Sequence, residues 1–485
     1  MNARFLLVSL AIGAILAEAT IGQRRQTLHR ITKGLGLHDA YDTTLDRIRQ
    51  QGGSRARLGM EALMWISRSE QSLRSEELCH ALGVEIGAED FSIQSVPPIK
   101  TLLSCSLGLI TIGERESVPR LLHITLQEYL GQHPTLFVTA DSMMAEVSLT
   151  YLNSRLVRAL PHDLENAPET APFLEYAACF WGTHAARGVT ELAKSLALRL
   201  LDRYEGHVSA AILWRKKICK GEMLGYVRGI SGLHCIAFWG IIEIAVAIPE
   251  IERYQLNWRD SIGETPLMWA VKYGNSQIVE LFLAQRHIEP DMVTRYGFTA
   301  LSFAAQLGNE DAVKVLLGCQ EVSPDLPDWK GRTPLSLAAQ AGHIGVVKLL
   351  LRCGDTNLNS RNGDGQTPLS LSAEQGHKSV VKLLLQRRDI DPNLPNGKGL
   401  TPLSLAASRG YEGVLKLLLE RGDVDPNLSD EHGRTPLSFA VEGCGPTLFW
   451  SLASAQPPPS LRKERVLKLL VEHADVNLNL ADNYG

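Results

Sequence analysis

Cysteine is scarce in this sequence: eight residues are spread over 485 positions, and no two of them form a C-x-x-C pair. This spacing argues against a disulfide framework and against a zinc site built from thiolates. It favours a reducing, cytoplasmic environment in which the cysteines pack as small apolar side chains. Neither sign of charge predominates, because the formal net charge is −4. We therefore expect no global attraction to nucleic acid or to acidic lipid.

Motifs that carry catalysis are also missing. A lipase needs a G-x-S-x-G turn, and the nearest segment, GISGL at Gly229, does not match it. A nucleotide-binding loop needs G-x-x-x-x-G-K-[ST], and NGKGLT at Asn396 lacks the earlier glycine. The segment at Asp355 starts like a calcium loop but has Ser360 and Gln366 where that loop needs Gly and Glu. We predict no enzymatic activity, no cofactor and no metal site.

One apolar stretch, residues 5–17, stands near the N-terminus and is followed by an A-x-A sequence at 17–19. This outline is similar to a secretory signal, although the stretch is too short to span a bilayer comfortably. The alternative is a buried helix, which we favour because the residues that follow continue as an amphipathic helix. No other apolar run is long enough for a membrane span, and we expect none.

The sequence does contain an internal repeat. A T-P-L-like triplet recurs every 34 residues, and a glycine stands two residues before each copy. Such a period is typical of architectures in which one unit cannot bury its own apolar face but stacked units can. A degenerate earlier copy begins at Ser231. The triplets begin at Thr265, Thr299, Thr333, Thr367, Thr401 and Thr435.

Each part of the repeated unit has a backbone role. In the copy at 331–351, Gly331 suits a turn with positive φ, Thr333 a helix N-cap and Pro334 the first helical position. Gly342 is expected to end the first helix, and IGVVKLLL predicts a second helix with apolar residues at helical spacing. Loops rich in Asn and Asp then lead to the next copy.

This unit resembles the ankyrin repeat, whose signature T-P-L-H-x-A is followed by G-H and a V-x-x-L-L helix. The resemblance covers residues 231–439 and departs at the fourth signature position, where His234 alone keeps the histidine. A 34-residue period also suits the tetratricopeptide repeat, but the W-x-x-L-G-x-x-Y pattern of that family is absent. The resemblance implies a mainly α fold, an α-solenoid with β-hairpin loops.

The array becomes irregular towards its end. Cys444 stands where earlier units have glycine, and an insertion rich in proline and serine follows near residues 444–464. VLKLLVEHADVNLNL then resumes the second helix and the loop. Because no polar capping repeat follows, we expect the natural array to continue.

Residues 58–134 have a different pattern. MEALMWIS, LRSEELCHAL and PPIKTLLSCS predict three helices, the second with Ser75 as N-cap and Gly83 as its stop. LGLITIGERESVPRLLHIT alternates like a β-hairpin with its turn at 113–117. This order is similar to the winged-helix module beside ankyrin arrays in fungal NACHT/STAND-type signalling ATPases, a module often labelled after a GPI inositol-deacylase. Five Lys/Arg against ten Asp/Glu argue against DNA binding by this segment.

The resemblance implies four parts along the chain. Residues 1–57 are similar to the end of a NACHT ATPase region, and residues 58–134 to the winged-helix domain. A helical connector is expected at 135–228. About seven ankyrin repeats are expected at 229–485.

In an ankyrin stack the loop tips and first helices form a concave face that binds other proteins. Tip residues differ between copies here while the frame recurs, which is typical of a recognition surface. Trp329 is the strongest anchor candidate, since large aromatic side chains dominate interface energies; alternatively it folds onto the neighbouring loop. The candidate binding residues are Arg295, Tyr296, Trp329, Lys330, Asn362, Asp364, Asn396, Lys398, Glu431 and His432.

We therefore predict a protein-interaction scaffold, the ligand-sensing part of an NLR-like signalling protein, with protein partners and no nucleic acid, membrane span or small-molecule substrate. One alternative is a remnant of a NACHT NTPase whose nucleotide site lies outside this chain. A further alternative is a simple ankyrin adaptor.

Overall fold

The computed structural model describes residues 12, 15, 20–32, 37–113, 117–162, 164, 166–218, 229–248, 256–441 and 459–480. Contacts divide the chain into two compact units, Met1–Glu250 and Ile251–Gly485. The first unit thus includes the degenerate repeat that begins at Ser231. The apolar stretch at 5–17 lies outside the described residues except for Ile12 and Ile15, and the insertion near 444–464 lies outside them up to residue 458.

The described part of the first unit consists of helices and one short hairpin. Strand β1 (Ile110–Ile112) pairs antiparallel with β2 (Pro119–Leu121), so that Ile110 lies opposite Leu121. The helices are α1 (Ile21–Thr32), α2 (Leu37–Gln50), α3 (Gly53–Arg68), α4 (Ser75–Leu82), α5 (Ile99–Cys105), α6 (Ile124–Gln132), α7 (Ala140–Leu152), α8 (Arg155–Arg158), α9 (Leu174–Arg187), α10 (Glu191–Leu201), α11 (Val208–Leu213), α12 (Gly232–Trp239) and α13 (Ile242–Val246).

Three helices, α3 to α5, precede the hairpin in the order that the sequence predicts, but the predicted cap of α4 is wrong. The N-cap is Arg74, whose backbone N–H donates to the Glu77 carboxylate at 2.7 Å. Ser75 is the first helical residue, and its hydroxyl donates to the Ser117 carbonyl at 2.7 Å. The serine therefore ties the helix to the chain that enters β2, while Gly83 ends α4 as predicted.

An aromatic cluster forms the centre of the first unit. Trp65 on α3 lies edge-on to Phe173 and Tyr176, with ring centroids 5.5 Å and 5.8 Å away. Tyr151 on α7 lies edge-on to Phe173 at 5.3 Å. All four rings are buried, and edge-to-face pairs of this kind add to the free energy gained from their buried area. The cluster therefore fastens α3 to α7 and α9.

The second unit is a series of helix pairs. Each pair has a short first helix and a second helix after a tight turn, and consecutive first helices pack on one another. The pairs are α14 (Pro266–Lys272) with α15 (Ser276–Leu283), α16 (Ala300–Leu307) with α17 (Glu310–Leu317), α18 (Pro334–Ala341) with α19 (Ile344–Arg352), α20 (Pro368–Gln375) with α21 (Lys378–Leu385), and α22 (Pro402–Arg409) with α23 (Glu412–Leu419). Then come α24 (Pro436–Val441) and α25 (Pro459–Glu472).

The predicted caps of the first helices are confirmed. The hydroxyl of Thr333 accepts a hydrogen bond from the backbone N–H of Ser336 at 3.3 Å, and Pro334 occupies the first turn. Gly342 ends α18 in the left-handed conformation. In the second helix, Val346, Val347 and Leu350 are fully buried, as helical spacing predicts. Burying each such side chain contributes about 1.5–3 kcal/mol to folding.

The buried threonine caps give a local test of this frame. Thr401→Ala is expected to lower the free energy of local unfolding by about 1 kcal/mol, because the Ser404 N–H loses its acceptor at 3.2 Å. Hydrogen exchange of the amides of α22 measures this change. Thr401→Ser keeps the acceptor and serves as control. Equal losses in both variants would show that the methyl group, and not the cap, is responsible.

Candidate protein-binding surface

The loops between helix pairs share one turn geometry, set by a side-chain acceptor that recurs every 34 residues. Asp328 is an example: its Oδ1 accepts from the backbone N–H groups of Lys330 at 2.9 Å and Arg332 at 2.8 Å. Each of the other acceptors receives the same two bonds, from the residues two and four positions later. The six acceptors are Asp260, Thr294, Asp328, Asn362, Asn396 and Asp430.

The two residues after each acceptor form the tip of the loop, and neighbouring tips are hydrogen-bonded. The backbone N–H of Trp329 donates to the Tyr296 carbonyl at 3.0 Å, and that of Gly363 donates to the Lys330 carbonyl at 2.6 Å. Within a loop, the Asp328 N–H donates to the Arg332 carbonyl at 3.0 Å. The predicted β-hairpin loops are thus short turns, without a regular strand among the described residues of the second unit. Their tips form one continuous row.

The predicted binding residues fall into two groups, turn acceptors and exposed tip residues. Asn362 is 9% exposed and Asn396 is half-buried, and both use their side-chain oxygen as the turn acceptor. The sequence contained a signal for this role, because Asn362 and Asn396 follow Asp328 at intervals of 34 residues and therefore occupy the position of the turn acceptor. The other eight predicted residues are exposed tip side chains: Arg295, Tyr296, Trp329, Lys330, Asp364, Lys398, Glu431 and His432.

Tyr296, Trp329 and Lys330 form a cluster on two adjacent tips. The rings of Tyr296 and Trp329 have centroids 6.4 Å apart, and Lys330 Nζ lies 5.1 Å from the Trp329 centroid. Trp329 nevertheless keeps 65% of its surface exposed, and Tyr296 keeps 48%. The tryptophan therefore contacts its neighbouring loop and still presents most of its ring for binding.

Comparison with known protein families identifies this region. Residues 233–328 and 320–396 match a model of ankyrin repeats in three copies, and residues 384–440 match a model of ankyrin repeats in many copies. The C-terminal region is an array of ankyrin repeats. Such an array indicates a protein–protein interaction module. No protein of curated function matches the chain.

A solved structure similar to the chain is the ankyrin repeat domain of Bcl-3, described as a unique member of the IkappaB protein family. The sequences are 24% identical, and the match covers 46% of this chain and 91% of that chain, with a TM-score of 0.39. The ankyrin assignment rests on the family match and on the repeated geometry.

Beside the tips, the ankyrin array carries a half-buried aromatic pair that the sequence reasoning missed. Phe298 and Phe303 stack with centroids 5.1 Å apart, and the Arg332 guanidinium lies 5.7 Å from the Phe298 centroid. Lys272 Nζ lies 5.3 Å from the Phe303 centroid and 2.8 Å from the buried Glu264 carboxylate. Burial raises the pKa of Glu264, and the neighbouring lysine opposes that rise. The sequence contained a signal for these residues. Phe298 and Arg332 stand directly before cap threonines, and the residue at this position varies between repeats as the tip residues do.

A second ladder of side chains connects the ankyrin repeats away from the tips. Asn359 donates Nδ2–H to the Asp389 carbonyl at 2.7 Å, and its Oδ1 accepts from the Asp391 N–H at 3.0 Å. Equivalent pairs of bonds are made by Asn257, Asn393 and Asn427. Asp291 and Asp325 occupy the same position but only accept, through Oδ2, and each leaves a buried Oδ1 without a hydrogen bond. Burial raises the pKa of both carboxyl groups.

Metal-binding clusters and membrane spans are absent from the described parts of the chain. Within them, no group of three or more His, Cys, Asp or Glu side chains is arranged to hold a metal ion. Among the same residues, no helix combines the length and apolar character needed to cross a bilayer. The six described cysteines are free thiols, and burial raises the pKa of Cys79 to about 11 and of Cys179 and Cys235 to about 12. Such thiols are poor nucleophiles at neutral pH.

Proposed function

We propose that the chain binds a protein partner through the loop tips and first helices of its ankyrin array, the face that is concave in this family. One observation carries the proposal: the residues of five of the six tips are exposed and change from repeat to repeat, while the turn acceptor, the following glycine and the cap threonine recur. A fixed frame that presents variable side chains suits recognition. Trp329 is the main anchor in this proposal.

The finer proposal assigns the chain to the ligand-sensing part of an NLR-like signalling protein of the NACHT/STAND type, acting in the cytoplasm. Residues 58–134 would be the winged-helix module and 135–228 the connector that passes binding on to a partner or to an ATPase domain outside the chain. Contacts within the first unit support such a relay. Arg187 pairs with Glu70 at 2.5 Å, and the Glu70 N–H donates to the Tyr176 hydroxyl at 3.2 Å.

The same relay continues through buried polar groups. The Tyr176 hydroxyl lies 2.9 Å from His184 Nε2, and His184 Nδ1 lies 2.7 Å from the Asp141 carboxylate. Burial lowers the pKa of His184, which favours the neutral imidazole despite the nearby carboxylate. These bonds join the loop after α3 to α7 and α9, so that displacement of one would be felt by the others.

Two further candidates have distinct tests. A simple ankyrin adaptor is favoured by the division of the chain into two compact units, and it would keep its cellular function after deletion of the first unit, residues 1–250. The NLR-like proposal expects that deletion to preserve partner binding but abolish signalling. A remnant of a NACHT NTPase would hydrolyse ATP as the purified chain, which the leading proposal does not expect.

The anchor residue gives the direct test of partner binding. Trp329→Ala is expected to weaken partner binding by about 2 kcal/mol or more, because it removes the largest exposed ring on the tip row. Its stability should change by less than about 0.5 kcal/mol, since the side chain is mostly exposed. The measurement is affinity for a partner identified by capture with the full chain.

Ile344→Ala is the matched control, because Ile344 is an exposed apolar residue on a second helix, away from the tips. It should bind the partner normally. Wild-type affinity in the Trp329→Ala variant would contradict the role of the tip row.

A further inference from the structure

Exposed charge on the first three turns is of one sign. Arg259, which precedes the turn acceptor Asp260, and the tip residues Arg295 and Lys330 are exposed, and none of them forms an ion pair with a described residue. The acidic residues of the same turns are buried and used inside the array: Glu264 pairs with Lys272 at 2.8 Å, and Asp328 pairs with Arg332 at 2.7 Å. A ligand at these turns therefore meets three cations without a compensating exposed carboxylate from the turns themselves. The exposed carboxylates of Glu289 and Glu321 lie earlier in the loops, five and seven residues before the turn acceptors Thr294 and Asp328.

The last three tips differ in both charge and shape. When the residue before each acceptor is counted as well, the exposed charged side chains of these turns are Arg361, Asp364, Lys398 and Glu431, two of each sign. Tip positions 363 and 397 are glycines, and no aromatic residue other than His432 stands on this half of the row. The row thus has a cationic, aromatic half and a balanced, polar half.

Aromatic surface and cations occur together in the first half. Tyr296 and Trp329 present 48% and 65% of their surface, with Arg295 and Lys330 beside them in the sequence. An arginine binds a carboxylate through two parallel hydrogen bonds, and an exposed indole gains free energy from covering an apolar side chain. The chemistry that satisfies both is an apolar side chain flanked by carboxylates.

We infer that the first three tips bind an extended acidic segment of the partner protein, in which Asp or Glu residues flank an aromatic or aliphatic residue. This inference rests on the proposed function and names the partner's chemistry. The apolar residue covers Trp329 and Tyr296, and the carboxylates pair with Arg295 and Lys330. A nucleic acid fits less well, because Asp364 on the next tip would repel a phosphate backbone that continues along the row.

The test is selection of peptides from a displayed library of random twelve-residue sequences on the immobilised full chain. The expected result is enrichment of peptides with net negative charge and an apolar residue between carboxylates. A single-stranded DNA of twenty nucleotides is measured in parallel as the competing polyanion. Affinities of individual enriched peptides are then measured at low and high salt, and we expect binding to weaken as salt rises.

Variants locate the binding site. Arg295→Glu with Lys330→Glu, and separately Trp329→Ala, should each weaken the enriched peptides at least about tenfold. Lys398→Glu is the matched control, because Lys398 is an exposed tip lysine in the balanced half of the row. It should change affinity less than about twofold, since a distant exposed charge is largely screened.

Three results would overturn the inference, and they differ in what they say about the proposed function. Enriched peptides that are basic, or that respond to Lys398→Glu as strongly as to the double variant, contradict the acidic segment but leave peptide recognition by the array intact. Tighter binding of the oligonucleotide than of any peptide contradicts both proposals. Failure to enrich any peptide also contradicts both.

Discussion

Replacing Asp291 and Asp325 with asparagine is expected to stabilise the ankyrin array by about 1–2 kcal/mol per site at pH 7. Each aspartate has a buried Oδ1 without a hydrogen bond, whereas asparagine at the equivalent position donates to a backbone carbonyl of the next repeat. From the 30-residue separation of Asn359 and Asp389, we expect the carbonyl of Glu321 opposite Asp291 and that of Asp355 opposite Asp325. An asparagine Nδ2–H would supply the missing donor at both sites.

The gain should depend on pH. Burial is the main cause that raises the pKa of both aspartates above the ordinary value of 3.8. A carboxyl group whose pKa is raised in the folded chain stabilises the fold fully when pH is below the unfolded pKa, and this stabilisation is lost as pH rises through the folded pKa. The protonated carboxyl can also donate to the facing carbonyl. The advantage of the asparagine variant is therefore largest at neutral pH and shrinks towards pH 4.

Hydrogen exchange measures this effect as the free energy of local unfolding of the peptides of α15 to α19. The wild type is compared with the variant that has asparagine at positions 291 and 325, at pH 7 and at pH 4.5. Asn393→Asp is the reverse control, at the equivalent position of another repeat. It should lower the free energy of unfolding by the same amount and with the same pH dependence. An asparagine variant that is no more stable than the wild type at pH 7 would contradict the claim that the buried Oδ1 costs stability. An equal gain in stability at both pH values would contradict the claim that the carboxyl group titrates between them.

Gly365→Ala is expected to destabilise its part of the array by about 2–3 kcal/mol. Gly365 has a φ of +72°, which costs an alanine about 1–2 kcal/mol. In addition, a Cβ there would lie 2.7 Å from the backbone nitrogen of Gly397 and would disturb its hydrogen bond to the Asp364 carbonyl. The loss combines local strain with a clash between neighbouring tips.

Gly274→Ala separates these two causes. Gly274 has a nearly equal φ of +77°, but a Cβ there would meet no atom within 4 Å. This control should lose about 1–2 kcal/mol, the strain alone. Local unfolding free energies from hydrogen exchange in each variant give the difference. Equal losses of unfolding free energy at the two positions would mean that neighbouring tips can move apart to accommodate the Cβ. Close packing between the tips would then not contribute to stability.

Much of the second unit could be predicted from the sequence because each repeat signals its own backbone. Thr333 and Pro334 start a helix and Gly342 ends it through interactions within the same ten residues. Local rules therefore identify these elements without reference to the rest of the chain. Ser75 shows where local rules fail: its hydroxyl is taken by Ser117, 42 residues away, so Arg74 caps the helix instead.

The exposure of the candidate residues could be predicted in part. The sequence indicated which loops vary, and eight of ten chosen residues lie exposed on the tips. It placed Asn362 and Asn396 among them although their side chains close the turn. It also missed Phe298 and Arg332, whose cation–π contact joins positions on neighbouring repeats.

The sequence by itself determined the 34-residue period, the order of turn and helix in each unit, and the absence of catalytic motifs, because these depend on local backbone preferences and on residue types. Only the tertiary structure decided which charged side chains remain exposed for a partner protein. It also decided which buried polar atoms lack a hydrogen-bond donor. Glu264 and Asp328 are neutralised within the array, and the Oδ1 atoms of Asp291 and Asp325 are left without donors. The physical reason is that Asp291 and Asp325 face the repeat stacked beside them, 32 residues along the chain, while the pairing of Glu264 with Lys272 depends on how the turn packs against the helix that follows it.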